Sequence, residues 1–387
     1  MIFPAEDMIA DSPRATPLYA AAASASEANI WTSVNGWSLA RVFTSVEKEY
    51  HAARTNAAIA DLGALSRWAV RGREAAQFLS RITTAPAPRL GVGDSARGLI
   101  LDDDGGVLDL AEVSRLSDDL FLLTTSTCHT RRLQLAARGV DATAEDISEA
   151  VAALGVFGPR ASEVLGAAGM KTPGDDVAAS AVVRGVETAA RPIQFGALPG
   201  VELIFPADDA LTIWERLVRR GKAGAIGLDA MEIFRIESGA PRPGVDFVSA
   251  DHPGAATRRT PAEIGLPHLA PLDRGWYNGR RGLRYVASAP QRRLATLSID
   301  DERSMPGAAV YSGGKAVGRI TSCAWSPAIK RVVAFADISR PAEAKDFEIA
   351  VPAPGEGRVA AKLYETPESA LATAFREAQN AAANLRR

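Results

Sequence analysis

The chain has 387 residues, with 44 Lys plus Arg against 46 Asp plus Glu, and a net charge of -2 argues against a nucleic acid or anionic membrane held mainly by charge. At ~150 residues per domain the length leaves room for two or three domains, and 47% hydrophobic with 23% charged residues excludes a largely disordered or collagenous chain. Cys128 and Cys323 are too few for a disulfide framework or a four-thiolate metal site, and the four histidines form no HExxH pattern, so no metal site is expected and a reducing, cytoplasmic setting fits.

Charge interrupts every apolar stretch well before ~20 residues, so no membrane span is expected. Residues 1–30 lack a basic start and read as a loosely ordered lead-in. The run from Ser45 to Ile59 is rich in helix formers and leads into a turn near Asp61-Leu62-Gly63. Ser66 to Gly72 alternates as a half-buried strand would, and Arg73 to Ile82 follows as an amphipathic helix. Ala96 to Leu101 reads as a strand running into the Asp102-Asp103-Asp104-Gly105-Gly106 turn. Val107 to Val113 and Leu120 to Thr125 then read as an antiparallel pair. Gly-rich turns between short strands favour an α+β sheet domain over a parallel βαβ array.

A second strand, glycine, helix unit runs from Val151 through Gly158 to Ala168 and echoes Trp68 to Ala75, a hint of duplication. A strand at Val201 to Pro206, a helix at Ala207 to Arg220 and another at Asp229 to Ser238 follow, the last ending before Gly239 and the Pro-rich Ala240 to Gly244. From about Arg292 short alternating runs separated by turn residues read as a small β-barrel. Thr366-Pro367-Glu368 offers an N-cap and a Pro at N1 for a final Ala-rich helix to about Leu385.

Several strings in this order resemble the aminomethyltransferase family, which comprises the glycine cleavage T-protein and tetrahydrofolate-dependent relatives. They include Arg54 to Gly63, Val70-Arg71-Gly72, Gly105-Gly106-Val107-Leu108-Asp109, Val156-Phe157-Gly158-Pro159-Arg160, and Gly200-Val201-Glu202-Leu203. Further along stand Phe234 to Gly239, Tyr277-Asn278-Gly279-Arg280-Arg281 and Gly318 to Pro327. The resemblance runs from about Glu49 to Tyr364. It implies an α+β fold with a T-protein-like folate-binding disc over residues 31–288 and a C-terminal β-barrel with a terminal helix over 289–387. It also implies tetrahydrofolate as cofactor, with Glu202 matching the carboxylate that pairs with the pterin's N-H donors. A carboxylate suits that edge because it accepts two parallel hydrogen bonds.

The resemblance has one departure at the reaction centre. The T-protein pattern carries two consecutive aspartates after the Gly-Gly turn, the second functional, and here the pair is Asp109-Leu110. Leucine cannot stabilise a cationic centre or position a proton, so Asp109, Glu112 or one of the turn aspartates would have to stand in. Met231 replaces an arginine of the pattern, and Gly196-Ala197-Leu198-Pro199 replaces its Thr-Gly-Glu-Asp string.

These losses point to the demethylase-like members, in which folate takes a one-carbon unit from a small methylated donor, with a dehydrogenase or oxygenase as partner. They point alternatively to the non-catalytic folate-binding proteins that assist iron-sulfur assembly, although Trp276 stands where that group carries a cysteine. The expected catalytic residues are Asp109 and Tyr50. Glu202, Trp276, Tyr277 and Arg235 are the expected cofactor contacts, with core packing as the alternative for Tyr50, Trp276 and Tyr277, and pairing with a buried carboxylate for Arg235. Cys128 and His129 are adjacent, so their side chains should diverge and form no dyad.

Overall fold

The computed structural model describes residues 13–170, 179–183, 186–195, 198–252, 258–286, 290–339, 346–352 and 357–384. The chain divides into two compact units, residues 3–99 with 109–231 and residues 100–108 with 232–387. Among the described residues no helix is long and apolar enough to cross a membrane.

The first unit opens with β1 (Arg14–Ala15), α1 (Tyr19–Ala25), β2 (Ile30–Val34) and β3 (Trp37–Val42), whose strands form a small sheet in the order β1-β3-β2. This corrects the expected lead-in. Residues 1–12 lie outside the described residues, but Leu18, Ala21 and Ala22 are buried in one core with Trp214 and Leu217. α2 (Val46–Thr55) begins where Ser45 Oγ accepts the Lys48 N–H at 3.3 Å, an N-cap. Its Glu49 turns back instead, accepting the backbone N–H groups of Phe43, Thr44 and Gly227 at 2.7–2.8 Å. The helix stops at Thr55, and β4 (Ala58–Asp61) takes the residues into which the sequence reading extended it.

β5 (Ser66–Arg71), α3 (Ala75–Ile82), β6 (Ser95–Leu101), β7 (Val107–Arg115), β8 (Leu120–Thr125), α4 (Thr130–Ala136) and β9 (Thr143–Asp146) follow, with a five-stranded sheet in the order β6-β7-β8-β5-β9. The expected β7–β8 pair is antiparallel. β5 is buried along its length up to Arg71, so it is covered on both faces and not half-buried. β10 (Val151–Phe157), α5 (Ala161–Ala167), β11 (Ala179–Val183), β12 (Val186–Phe195), β13 (Leu198–Pro206), α6 (Ala210–Arg219) and β14 (Gly224–Ala225) complete the unit, with a six-stranded sheet ordered β11-β12-β13-β10-β4-β14. Leu154 and Val156 of β10, Leu203 and Phe205 of β13 and Trp214 of α6 share its core.

The two strand, glycine, helix units have the same turn. Gly72 after β5 has φ +132° and Gly158 after β10 has φ +123°. An added Cβ would sit 2.2 Å from the Asp141 carbonyl oxygen in one and 2.4 Å from that of Asn56 in the other. Only glycine fits such a backbone so close to a neighbouring chain. Glu74 and Arg160, two residues on, adopt nearly the same angles before their helices.

α7 (Leu228–Ser238) leads into the second unit, which contains α8 (Arg280–Val286) and a closed barrel. The barrel strands are β15 (Arg292–Ile299), β16 (Ala309–Ser312), β17 (Lys315–Ser326), β18 (Arg331–Ser339), β19 (Asp346–Val351) and β20 (Gly357–Leu363), joined in the order β15-β18-β17-β16-β19-β20. β15 pairs with both β18 and β20, which closes the ring and leaves no free edge. Alternation along β18 puts Val332, Ala334, Ala336 and Ile338 in the barrel core, and Val333 and Phe335 against Ile236 of α7. α9 (Pro367–Asn384) starts at the expected cap: Thr366 Oγ1 accepts the Ser369 N–H at 3.1 Å, while Ser369 Oγ accepts the Thr366 N–H at 2.8 Å.

Candidate functional site

Glu202 lies on β13 directly across from Arg191 of β12. Its Oε2 accepts Arg191 Nε at 2.6 Å, and its Oε1 accepts Arg67 Nη2, from β5, at 2.8 Å. Arg191 Nη1 continues to Glu112 of β7 and to Ser114 Oγ. Two arginines and two glutamates thus alternate in a buried, charge-balanced chain, Arg67, Glu202, Arg191, Glu112, with Glu202 only 1% exposed. Burial acts to raise the Glu202 carboxyl, and the Arg191 and Arg67 guanidiniums outweigh it and bring it down to about 2. Glu202 is therefore an anion at neutral pH.

Thr124 of β8 stands opposite Arg67 in one register and opposite Glu112 in the other, so it lies between the two ends of the chain of charges. Its Oγ1 and the Nε of Arg67 are buried without a hydrogen-bond partner among the described residues. Arg67 spends other donors on the carbonyls of Leu65 and Leu62.

Asp109 is held on other business. Its Oδ2 accepts Thr127 N and Oγ1, each at 2.8 Å, and lies 2.9 Å from His129 Nε2, while Oδ1 accepts the Leu110 N–H at 2.7 Å. Leu110 and Glu112 lie on the other face of β7, because consecutive strand residues point to opposite sides. Asp109, expected as a catalytic residue, buttresses the Thr127–His129 segment. Cys128, between them, points elsewhere, with its Sγ 3.1 Å from Thr130 Oγ1, in keeping with the absence of a Cys-His dyad. Tyr50 is buried on α2, edge-on to His51 with ring centroids 5.6 Å apart and under the Arg54 guanidinium.

Three of the expected cofactor residues belong to the second unit. Arg235 directs Nε and Nη2 to Glu232 at 2.7 Å, Nη1 to Asp246 at 2.6 Å and to the Ala240 carbonyl at 2.7 Å, and Nη2 to Ser322 Oγ at 2.8 Å. All five of its N–H donors are used. Burial acts against its charge, and Asp246 and Glu232 overcome it, so its proton is held more firmly than usual. The cofactor-binding expectation for Arg235 is corrected to a strut between α7 and β17, the buried-carboxylate pairing having been its alternative. Tyr277 is buried, lies 3.1 and 3.2 Å from the carbonyls of Ala270 and Pro271, and is pushed up to about 12 by burial, so it too packs a loop and presents no face for stacking. Trp276 alone of the three is open, at 62% exposure.

The site thus gathers Glu202 with Arg67, Arg191, Glu112 and Thr124. Of these, sequence reasoning singled out Glu202, with Glu112 as a stand-in carboxylate. Arg67 left one trace, an arginine inside a strand and followed there by the apolar Trp68-Ala69-Val70. A cationic residue at such a position needs a buried partner.

The fold and this buried carboxylate define a mixed α+β unit followed by a β-barrel. Residues 19–260 match the model of the GCVT N-terminal domain, and residues 292–368 that of the glycine cleavage T-protein C-terminal barrel domain. The chain belongs to the glycine cleavage T-protein family. A probable aminomethyltransferase of Haloarcula marismortui is 30% identical over 353 residues, 87% of this chain and 94% of that protein. An aminomethyltransferase of Anoxybacillus flavithermus is 28% identical over 345 residues, 86% of this chain and 92% of that protein. The solved glycine cleavage system aminomethyltransferase T from Bartonella henselae has a TM-score of 0.81 at 22% identity, covering 92% of this chain and 98% of that one, a likeness of fold.

Proposed function

We propose that this protein is a tetrahydrofolate-dependent one-carbon transferase of the demethylase-like kind, taking a methyl group from a small methylated donor, or a formaldehyde-level carbon from a donor that a partner dehydrogenase or oxygenase has first oxidised by two electrons. The observation that carries the reading is Glu202, kept anionic between two arginines at the position where the family pattern places the pterin carboxylate. The names of the relatives, aminomethyltransferases over most of this chain's length, support folate-dependent one-carbon chemistry in general.

When bound, tetrahydrofolate supplies the nucleophilic nitrogen that receives the carbon. The chain's own contribution starts with Glu202, which accepts N–H groups of the ring, while Arg67 and Arg191 fix its orientation and keep it ionised. Leu110 offers no charge to a cationic aminomethyl group, so a neutral methyl donor suits this face better. Glu112 is on the same face as Leu110 and takes precedence over Asp109 as the carboxylate near the transfer centre.

Leu110 also favours a second reading, a folate-binding protein without turnover that assists assembly of iron-sulfur or other proteins. One experiment separates the two. Purified protein is incubated with tetrahydrofolate and a panel of small O-, S- and N-methylated compounds, alone and with an oxidising partner dehydrogenase and its electron acceptor, and the folate is examined for the methyl derivative in the first case and the methylene derivative in the second. The proposal expects conversion with at least one donor class; binding without conversion of any donor supports the second reading.

A further inference from the structure

We infer that the outer face of α8, with Trp276 just before it, is a docking surface for an acidic segment of a partner protein. Residues 272–286 hold four arginines, no lysine and one carboxylate, Asp273. Two of the arginines turn inward: Arg280 spends Nε and Nη2 on the Leu272 carbonyl at 3.0 and 2.7 Å, and Arg274 is buried against the Tyr277 ring. The other two, Arg281 and Arg284, are exposed and form no ion pair among the described residues. Tyr285 is 74% exposed and Trp276 62%. Positions 281, 284 and 285 are spaced i, i+3 and i+4, so they share one face of the helix.

The face is held firmly from below. Leu283 is buried, and a Cβ on Gly282 would collide with the Asp104 backbone, so α8 sits directly on the turn between β6 and β7. Asn278 Nδ2 donates to the Leu101 carbonyl at 3.0 Å and ties the loop that carries Trp276 to the strand before that turn. The carboxylates of the turn, Asp102 and Asp104, pair with Arg258 and so do not offset Arg281 and Arg284. Two unpaired guanidiniums one helical turn apart suit carboxylates, each of which accepts two parallel N–H bonds. Trp, Tyr and Arg are also the side chains that contribute most at the centres of protein interfaces. A nucleic-acid site makes about 6–10 phosphate contacts and an anionic-lipid site uses about 4–8 basic residues. Two exposed arginines fall short of both, and the uncharged Ala287-Ser288-Ala289-Pro290 that follows adds none. Charge and aromatic area together fit a short acidic protein segment that carries an apolar side chain.

The test is fluorescence anisotropy of a dye-labelled Glu-Glu-Leu-Phe-Glu-Glu peptide titrated with the full chain, wild type, Trp276→Ala and the double variant Arg281→Gln/Arg284→Gln. Thermal melts of each protein accompany the titrations. The wild type should bind the peptide saturably and more weakly as salt is added, and should not bind the same peptide with Lys in place of Glu. Each variant should bind about 10-fold or more weakly while melting at the wild-type temperature, since the replaced side chains are exposed. Absence of binding, or equal binding by wild type and both variants, overturns the inference. Tighter binding of single-stranded RNA or of phosphatidylserine vesicles, lost in the same variants, assigns the face to those ligands and overturns it too. So does a dimer in sedimentation velocity that Trp276→Ala dissolves, which assigns the face to a second copy of the chain.

Discussion

Asp109 and Leu110 are neighbours in β7 whose side chains face opposite ways: the Asp109 carboxylate meets Thr127 and His129, and Leu110 lies on the face that carries Glu112. A carboxylate one residue away in sequence is thus on the wrong side of the sheet to replace the one the family pattern has at position 110.

Asp109→Asn should therefore separate stability from binding. It weakens the contacts to Thr127 and His129, lowering the unfolding free energy by about 1–3 kcal/mol, and leaves tetrahydrofolate affinity within about twofold. Urea denaturation and fluorescence titration read the two effects. A large loss of affinity at unchanged stability would show that Asp109 acts in the site.

Glu202→Gln removes the anion between two buried arginines and should cost about 3–5 kcal/mol. In the wild type the folded-state value of about 2 lies below the ordinary carboxylate value of 4.5. The stabilisation is complete above pH 4.5 and lost as pH falls through 2. The stability gap between wild type and variant should thus be on the order of 3 kcal/mol larger at pH 6 than near pH 2. A gap that stays constant over this range in urea titrations would contradict the ion-pair assignment.

Asp61 shows the opposite sign. Burial raises it to about 6, although hydrogen bonds from Thr16 Oγ1 and the Gly63 N–H, and the nearby Arg67 charge, act to lower it. Its folded value lies above its ordinary 3.8, so its contribution to stability is complete below pH 3.8 and lost as pH rises through 6. Asp61→Asn should melt a few degrees above wild type at pH 8, and the difference should vanish by pH 4. Differential scanning calorimetry at the two pH values checks this; an advantage independent of pH would refute it.

Arg235→Lys keeps the charge near Glu232 and Asp246 but loses the planar fork that also reaches Ala240 and Ser322. The second unit should lose about 3 kcal/mol or more, seen as earlier protease cleavage of residues 232–387. Wild-type resistance would show that charge alone holds α7 to the barrel strand.

Much of the fold was legible because its elements announce themselves locally. Ser45 and Thr366 cap helices as their residue types require, and Gly72 and Gly158 end strands where a side chain would collide with backbone. The β2–β3 hairpin was also announced, by Asn35-Gly36 between alternating residues, with Asn35 at φ 53°. The face of Asp109 followed from reading Val107 to Val113 as a strand, but motif order drew attention to its identity and not its direction. The charge chain was the least legible: Arg67 meets Glu202 across 135 positions and Arg191 meets Glu112 across 79, and nothing in local periodicity links them. Arg235 and Tyr277 show the complementary error, since polar side chains in family motifs proved to be spent on internal carbonyls and carboxylates.

The central claim, a folate ring held by Glu202, is tested most directly by calorimetric titration of tetrahydrofolate into wild type and Glu202→Gln, with circular dichroism confirming that both are folded. The account predicts saturable binding of one equivalent to the wild type and a loss of at least about 100-fold in the variant. No binding to the wild type, or equal binding to both, would contradict it.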